Sequence, residues 1–226
     1  TAHHYYWVGV PQYWLPIGGI FSALEPLALF AMATWAYFAM RRSGFSHPNK
    51  LAIHWTIGSA VFTAFGAGVL GLAHTWPSVN KWTHGTLITP MHGHAAFYGA
   101  YVMVVLAVVT YAMPHLTRGG NEARESTLGY WAFWLQAVGM FGMTMAFATA
   151  GIAQTYLERI MGLGYLETQL KIQVHFLMLI AAATVFSVGA ACFIWDFFRQ
   201  APIALTGDGD DDASTTGTSE PQQVNS

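Results

Sequence analysis

The sequence predicts an all-α membrane protein, a polytopic bundle of five transmembrane helices. Three observations carry that prediction. Hydrophobic residues make up 54% of the 226 positions and charged residues 9%, whereas a soluble domain carries about 25% charged residues. Five apolar stretches, at about 14–40, 51–76, 88–113, 130–154 and 172–194, each reach the roughly 20 residues a helix needs to cross a core about 30 Å thick. None alternates apolar and polar residues as a barrel strand would. Backbone groups in lipid must pair internally, which leaves helix as the choice.

The first span, 14–40, follows the string His3-His4-Tyr5-Tyr6-Trp7 and carries Glu25 beside Pro26 in mid-span. A carboxyl in the membrane is disfavoured by at least about 2.5–3.5 kcal/mol, so Glu25 is expected to relay protons or stand beside a metal. The structural alternative is a protonated, hydrogen-bonded Glu. Pro26 frees the carbonyl of Ser22, and such a break faces protein or a wet cavity. The second span, 51–76, carries Gly66, Gly68 and Gly71, which permit close helix approach and need no cofactor to explain them. The third, 88–113, carries His92 and His94. The fourth and fifth, 130–154 and 172–194, qualify by length and apolarity, with His175 an interfacial residue at the outer end of the last. Residues 201–226, rich in Asp, Gly, Ser and Thr, read as a disordered cytoplasmic tail, leaving 1–200 as one membrane domain.

Basic residues orient the spans. Arg41, Arg42, Lys50, Arg118, Arg124 and Arg199 fall on one side, against Lys81, Arg159 and Lys171 on the other. That majority places the first group and the tail in the cytoplasm. Trp76, Trp82, Tyr156 and Tyr165 suit an aromatic belt at the outer face. His3 and His4 then lie at the outer end of the first span. His92 and His94 come one to two turns into the third, about 6–9 Å deep, and His74 and His84 flank the outer loop. Three pieces of chain thus bring histidines to one level of the membrane.

Neutral imidazole is a common metal and haem ligand. Side chains at i and i+2 of a helix point about 200° apart, so His92 and His94 can serve two different metal centres side by side, with Gly93 allowing close backbone approach. His3 and His4, at the same level, are expected to ligate as well. His84 reads either as a donor to a haem carboxylate or as a loop histidine. His47, His54 and His115 lie toward the cytoplasmic side and read as ordinary. Cys192, a lone cysteine in an apolar run, excludes an internal disulfide and reads as a core residue.

A net charge of −2 gives no footing for a nucleic-acid partner. No stretch has the layout of a signal peptide, a phosphate loop or a nucleophile–base–acid arrangement. The chain begins at Thr1 with residues that already carry chemistry, so we expect it to be the C-terminal part of something longer. Three functions stay open on this reading. A di-haem electron carrier leaves His3, His4 and Glu25 idle. A proton-coupled transporter uses intramembrane His and Glu. A redox enzyme uses all of them.

Four strings decide between these: His3-His4-Tyr5-Tyr6-Trp7, Phe21-Ser22-Ala23-Leu24-Glu25-Pro26-Leu27, Thr83-His84-Gly85-Thr86, and Met91 through Tyr101 around His92-Gly93-His94. In order and spacing they resemble the catalytic subunit of bacterial respiratory nitric oxide reductase, a branch of the haem-copper oxidase superfamily, from Thr1 to about Gln200. The resemblance implies a twelve-helix subunit of which these are the last five helices, in a bacterial or archaeal cytoplasmic membrane. It implies His3 and His4 as ligands of the non-haem iron B, His92 as proximal ligand of high-spin haem b3, and His94 as an axial ligand of low-spin haem b. Glu25 becomes an acid near iron B, and Thr75 a polar residue near the site. Calcium between the haems is implied too. So are nitric oxide as substrate, and quinol, favoured over cytochrome c, as electron donor. The third iron B histidine, its glutamate and the second haem b ligand would come from earlier helices. An oxygen reductase of the same superfamily is the nearest alternative, and Glu25-Pro26 favours nitric oxide.

Overall fold

The computed structural model describes residues 2–44, 47–117 and 126–200. The predicted tail at 201–226, and Arg118 and Arg124 used for orientation, lie outside them. In chain order, a 3-10 turn at Ala2–Tyr5 precedes α1 (Trp14–Ser43), α2 (Lys50–Thr75), α3 (Pro77–Thr83), α4 (Ile88–His115), α5 (Thr127–Ile160), α6 (Tyr165–Lys171) and α7 (Gln173–Gln200). The described residues contain no strand, and the five long helices are apolar and long enough to cross a membrane.

Each predicted span is found, and each helix runs past its apolar stretch at one end or both, although α2 stops at Thr75 and α7 starts at Gln173, one residue inside it. Local chemistry sets those ends, and hydropathy does not see it. The Ser126 side chain caps α5 by accepting from the Gly129 N–H at 3.2 Å, and Asn49 caps α2 by accepting from Ala52 at 3.0 Å. Gly44, in the left-handed region at φ 62°, closes α1 where a residue with a Cβ would be strained. Pro26 has no N–H to give the Ser22 carbonyl, and α1 runs on through it. Ser22 and Pro26 are nonetheless buried, on a helix that is otherwise largely exposed, so this face meets protein as expected.

Two seams hold the bundle. Along the first, α5 and α7 pack over most of their length. Around Leu51, Trp55 and Phe133 a core forms in which Trp55 meets Phe133 and Phe193 edge-on, at 5.1 and 5.8 Å. Along the second, α2 crosses α4, and both helices loosen into π-helical stretches there, Ala64–Leu70 and Tyr98–Val102. Such stretches are rare and gather at functional sites. The crossing needs glycine on each side. A Cβ on Gly66 would lie 2.4 Å from the Ala96 nitrogen, and one on Gly99 would lie 2.4 Å from the Thr63 nitrogen. This seam carries the histidines.

Candidate metal centre

The His3-His4 turn folds back over the N-terminal end of α1 and the C-terminal end of α2. The His3 amide donates to Ser22 Oγ at 3.3 Å. The buried Tyr6 hydroxyl sits between two carbonyls, Leu15 at 2.9 Å and Thr75 at 3.0 Å. Trp7 is the one described non-glycine residue at positive φ, 64°. Its indole N–H donates to Asn80 Oδ1 at 2.8 Å, and Asn80 in turn donates to the His74 carbonyl. A bulky residue in this region is strained by about 1–3 kcal/mol, and the Asn80 anchor holds it there. Side chains of α1 and α3 and backbone carbonyls of α1 and α2 thus fix the position of the dyad.

His92 approaches from α4. Its Nδ1–H donates to the Gly66 carbonyl at 2.8 Å, inside the π-helical stretch of α2. A carbonyl only accepts, so in the neutral ring the proton sits on Nδ1 and Nε2 keeps its lone pair for a metal. A Cβ on Gly71 would stand 3.2 Å from the His92 ring, so Gly66 and Gly71 together make room for it. The three imidazoles come together, with ring centroids 4.4 Å (His3–His4), 6.1 Å (His3–His92) and 6.4 Å (His4–His92) apart. One ligand atom from each lies within 4.8 Å of the others. Burial pushes His3 down to about 3, helped by the neighbouring His4 and His92, and burial lowers His4 as well. Both shifts favour the neutral ring, the form of imidazole that can ligate a metal.

Glu25 lines the same cavity, of about 380 Å³, with His3, His4, Ser22 and His92. His94 does not. It faces a second cavity, about 580 Å³, walled by Phe97, Val102, Met140 and Phe186. Its Nδ1–H donates to the Pro90 carbonyl at 2.8 Å, and its ring lies 5.0 Å from Phe147. The two histidines therefore line different, neighbouring cavities.

Two expected residues stand elsewhere. The Thr75 hydroxyl is spent on the Leu72 carbonyl of its own helix, and Thr75 borders a different cavity. It supports the dyad only through its carbonyl. His84 ends α3, and its own carbonyl accepts from Arg159 at 3.2 Å. His54 bonds within α2 and packs edge-on against Tyr130 and Phe133, a structural role as expected.

Sequence reasoning placed His74 near the histidine level but gave it no role. It is buried and stacked on His92, with centroids 5.2 Å apart and planes at 22°. Its Nδ1–H donates to the Leu70 carbonyl, while its Nε2 is buried without a hydrogen-bond partner. Depth was a partial signal, not enough to tell a loop histidine from one stacked on His92. His74 ends α2 just before Pro77, at the level of His92.

These donors fit some groups and not others. Three imidazole nitrogens within 4.8 Å of one another are a donor cluster for one ion, which with metal–nitrogen bonds of about 2.0–2.1 Å would draw them in to about 4 Å or less. A haem on His94 fits as well, since the ring has a free Nε2 beside a large apolar cavity. A porphyrin between His92 and the dyad does not fit this arrangement. Two metals about 3.5–4 Å apart, each with its own imidazole, would hold the opposing nitrogens about 7 Å apart or more.

Residues 1–187 match the family model described as Cytochrome C and Quinol oxidase polypeptide I. Over 211 residues the chain is 40% identical to a nitric oxide reductase polypeptide of Stutzerimonas stutzeri, an overlap of 91% of this chain and 44% of that protein. The chain therefore spans less than half the length of this curated relative. Five apolar helices and such a relative describe a multi-pass bacterial membrane protein, and the family implies haem. Matched over most of its length, the chain belongs to the Cytochrome C and Quinol oxidase polypeptide I family, within the haem-copper oxidase superfamily.

Proposed function

We propose that the full-length protein is a respiratory nitric oxide reductase, converting two nitric oxide molecules, two electrons and two protons to nitrous oxide and water. The observation that carries this reading is the meeting of His3, His4, Glu25 and His92 around one cavity. An ion-binding dyad there faces a carboxyl that can hold a proton. His3 and His4 hold the non-haem iron, and their neutral rings leave both available as donors. Glu25 delivers protons to substrate bound there. His94 ligates the low-spin haem b at the neighbouring cavity. His92, its Nδ1–H fixed by the Gly66 carbonyl, would hold haem b3 through its other ring nitrogen. Iron and haem supply the redox chemistry, and the chain supplies ligation, position and protons.

The five helices are the last five of twelve, with the histidine level toward the outer face and the C-terminus in the cytoplasm. Earlier helices complete the iron ligands, and quinol supplies the electrons. The test is gas consumption by the purified full-length protein with a quinol donor. Nitric oxide uptake with nitrous oxide release at half its molar rate supports the reading. Oxygen uptake with no nitrous oxide overturns it.

A further inference from the structure

We propose that α6 and the turn before it form an amphipathic anchor in the membrane–water interface, at the end of the bundle where α5 stops and α7 begins, with Leu166 and Leu170 sunk into lipid. The placement holds for either leaflet and is independent of the nitric oxide reading.

The chain on either side fixes the level. α5 ends at Ile160 and α7 starts at Gln173, and both are long and apolar enough to cross a membrane. Residues 161–172 therefore join two spans at one membrane surface. Within them α6 is held from one side only. Thr168 is fully buried, and so is Ile172 just after the helix. A helix turns about 100° per residue, which puts Leu166 and Leu170 each about 160° from Thr168. The two leucines thus point away from the protein, 76% and 67% exposed. Glu167 and Lys171 take a separate flank, paired at 3.6 Å with both side chains about half-exposed.

A single exposed leucine is ordinary on a protein surface, but these two belong to a continuous apolar run. Ile160 and Met161 precede them, and Val174 and Leu177 follow, each more than half exposed. On α7 the run becomes the outward face of a membrane-crossing helix, so lipid is its occupant by continuity. The pattern is that of an interfacial helix, whose apolar face reaches about 5–10 Å into the boundary of headgroups and acyl chains while its charges stay in water. Tyr156 and Tyr165, both exposed, supply rings suited to the headgroup level. The anchor is also tied to the start of α4. Arg159 donates to the His84 carbonyl at 3.2 Å, and Gln154 accepts from the Leu87 N–H at 2.9 Å. The depth of α6 is thereby passed to the helix that carries His92 and His94.

The test is a spin-label depth measurement on the full-length protein in vesicles of phosphatidylcholine and phosphatidylglycerol. Leu166→Cys, Glu167→Cys, Leu170→Cys and Lys171→Cys are labelled one at a time in a background free of other reactive cysteines. An unchanged elution volume in size-exclusion chromatography shows that a variant keeps its fold, and two leucine positions are read so that the loss of one variant leaves the other. Labels at 166 and 170 are expected to collide more with oxygen, which concentrates in lipid, than with a water-soluble nickel chelate. Labels at 167 and 171 are expected to show the reverse. Nickel-favoured collision at either leucine position puts that face in water and overturns the proposal. Protection from both reagents there means that protein covers the face, which overturns it too. Oxygen-favoured collision at all four positions sinks the helix past the interface and is equally fatal.

Discussion

Glu25 carries the most specific residue-level claim. It has no partner in the sequence pattern, yet it lines the cavity of His3, His4 and His92. A carboxyl kept there for proton delivery is replaceable in shape but not in chemistry. Glu25→Gln is expected to keep haem and iron content while turnover falls by about 10²-fold, the lower end of what a positioned acid or base contributes. Steady-state nitric oxide consumption beside a pyridine haem assay measures both. Unchanged turnover with an unchanged pH profile would remove Glu25 from the mechanism. His3, His4, His92 and Glu25 were legible in the sequence because their depth in the spans could be counted. His74 was not, because depth alone could not separate a loop histidine from one stacked on His92. The sharing of Thr75 between its own helix and Tyr6 was equally invisible, since a hydroxyl's partner depends on local rotamers.

Among the elements, two contacts bear on stability: the α2–α4 seam, and the junction of the start of α5 with the C-terminal part of α7. Gly66 offers the carbonyl that fixes His92, and a Cβ there would fall 2.4 Å from backbone that cannot swing aside. Gly66→Ala is expected to destabilise by about 1–3 kcal/mol, the cost of overpacking, and to lower haem occupancy at His92 more than at His94. Thermal melting and the high-spin haem signal follow the two effects. A variant that melts like the parent with both haems bound would place the seam's importance elsewhere. The second latch is polar. Asp196 is fully buried on α7 and accepts from Ser126, the cap of α5, at 2.5 Å and from Gln200 at 2.6 Å. Asp196→Ala strands the Ser126 hydroxyl and is expected to cost about 1–3 kcal/mol in a detergent melt, leaving the cofactor spectra intact. A neutral result would show that the cap alone suffices. The lengths and order of the long helices were readable from hydropathy. The π-helical stretches were not, because their cause is the contact between two helices, which no single segment encodes.

At the scale of the whole molecule, α1 leaves a long apolar face uncovered, with Met32 72% and Trp35 76% exposed. Lipid and the further helices of the full-length protein cover it in our reading, and the positive-inside bias sets which way the bundle points. In a Cys192→Ser background, Lys81→Cys is expected to react with a membrane-impermeant maleimide in intact spheroplasts, and Arg42→Cys only after permeabilisation. The reverse pattern would invert the topology and move the histidine level to the cytoplasmic side. The central claim is that the dyad holds the iron at which nitric oxide reacts. Its most direct test is non-haem iron content and nitric oxide turnover in the full-length His3→Ala/His4→Ala variant. The account predicts that both fall to background while the low-spin haem spectrum of His94 persists. Turnover that survives without the dyad would contradict it.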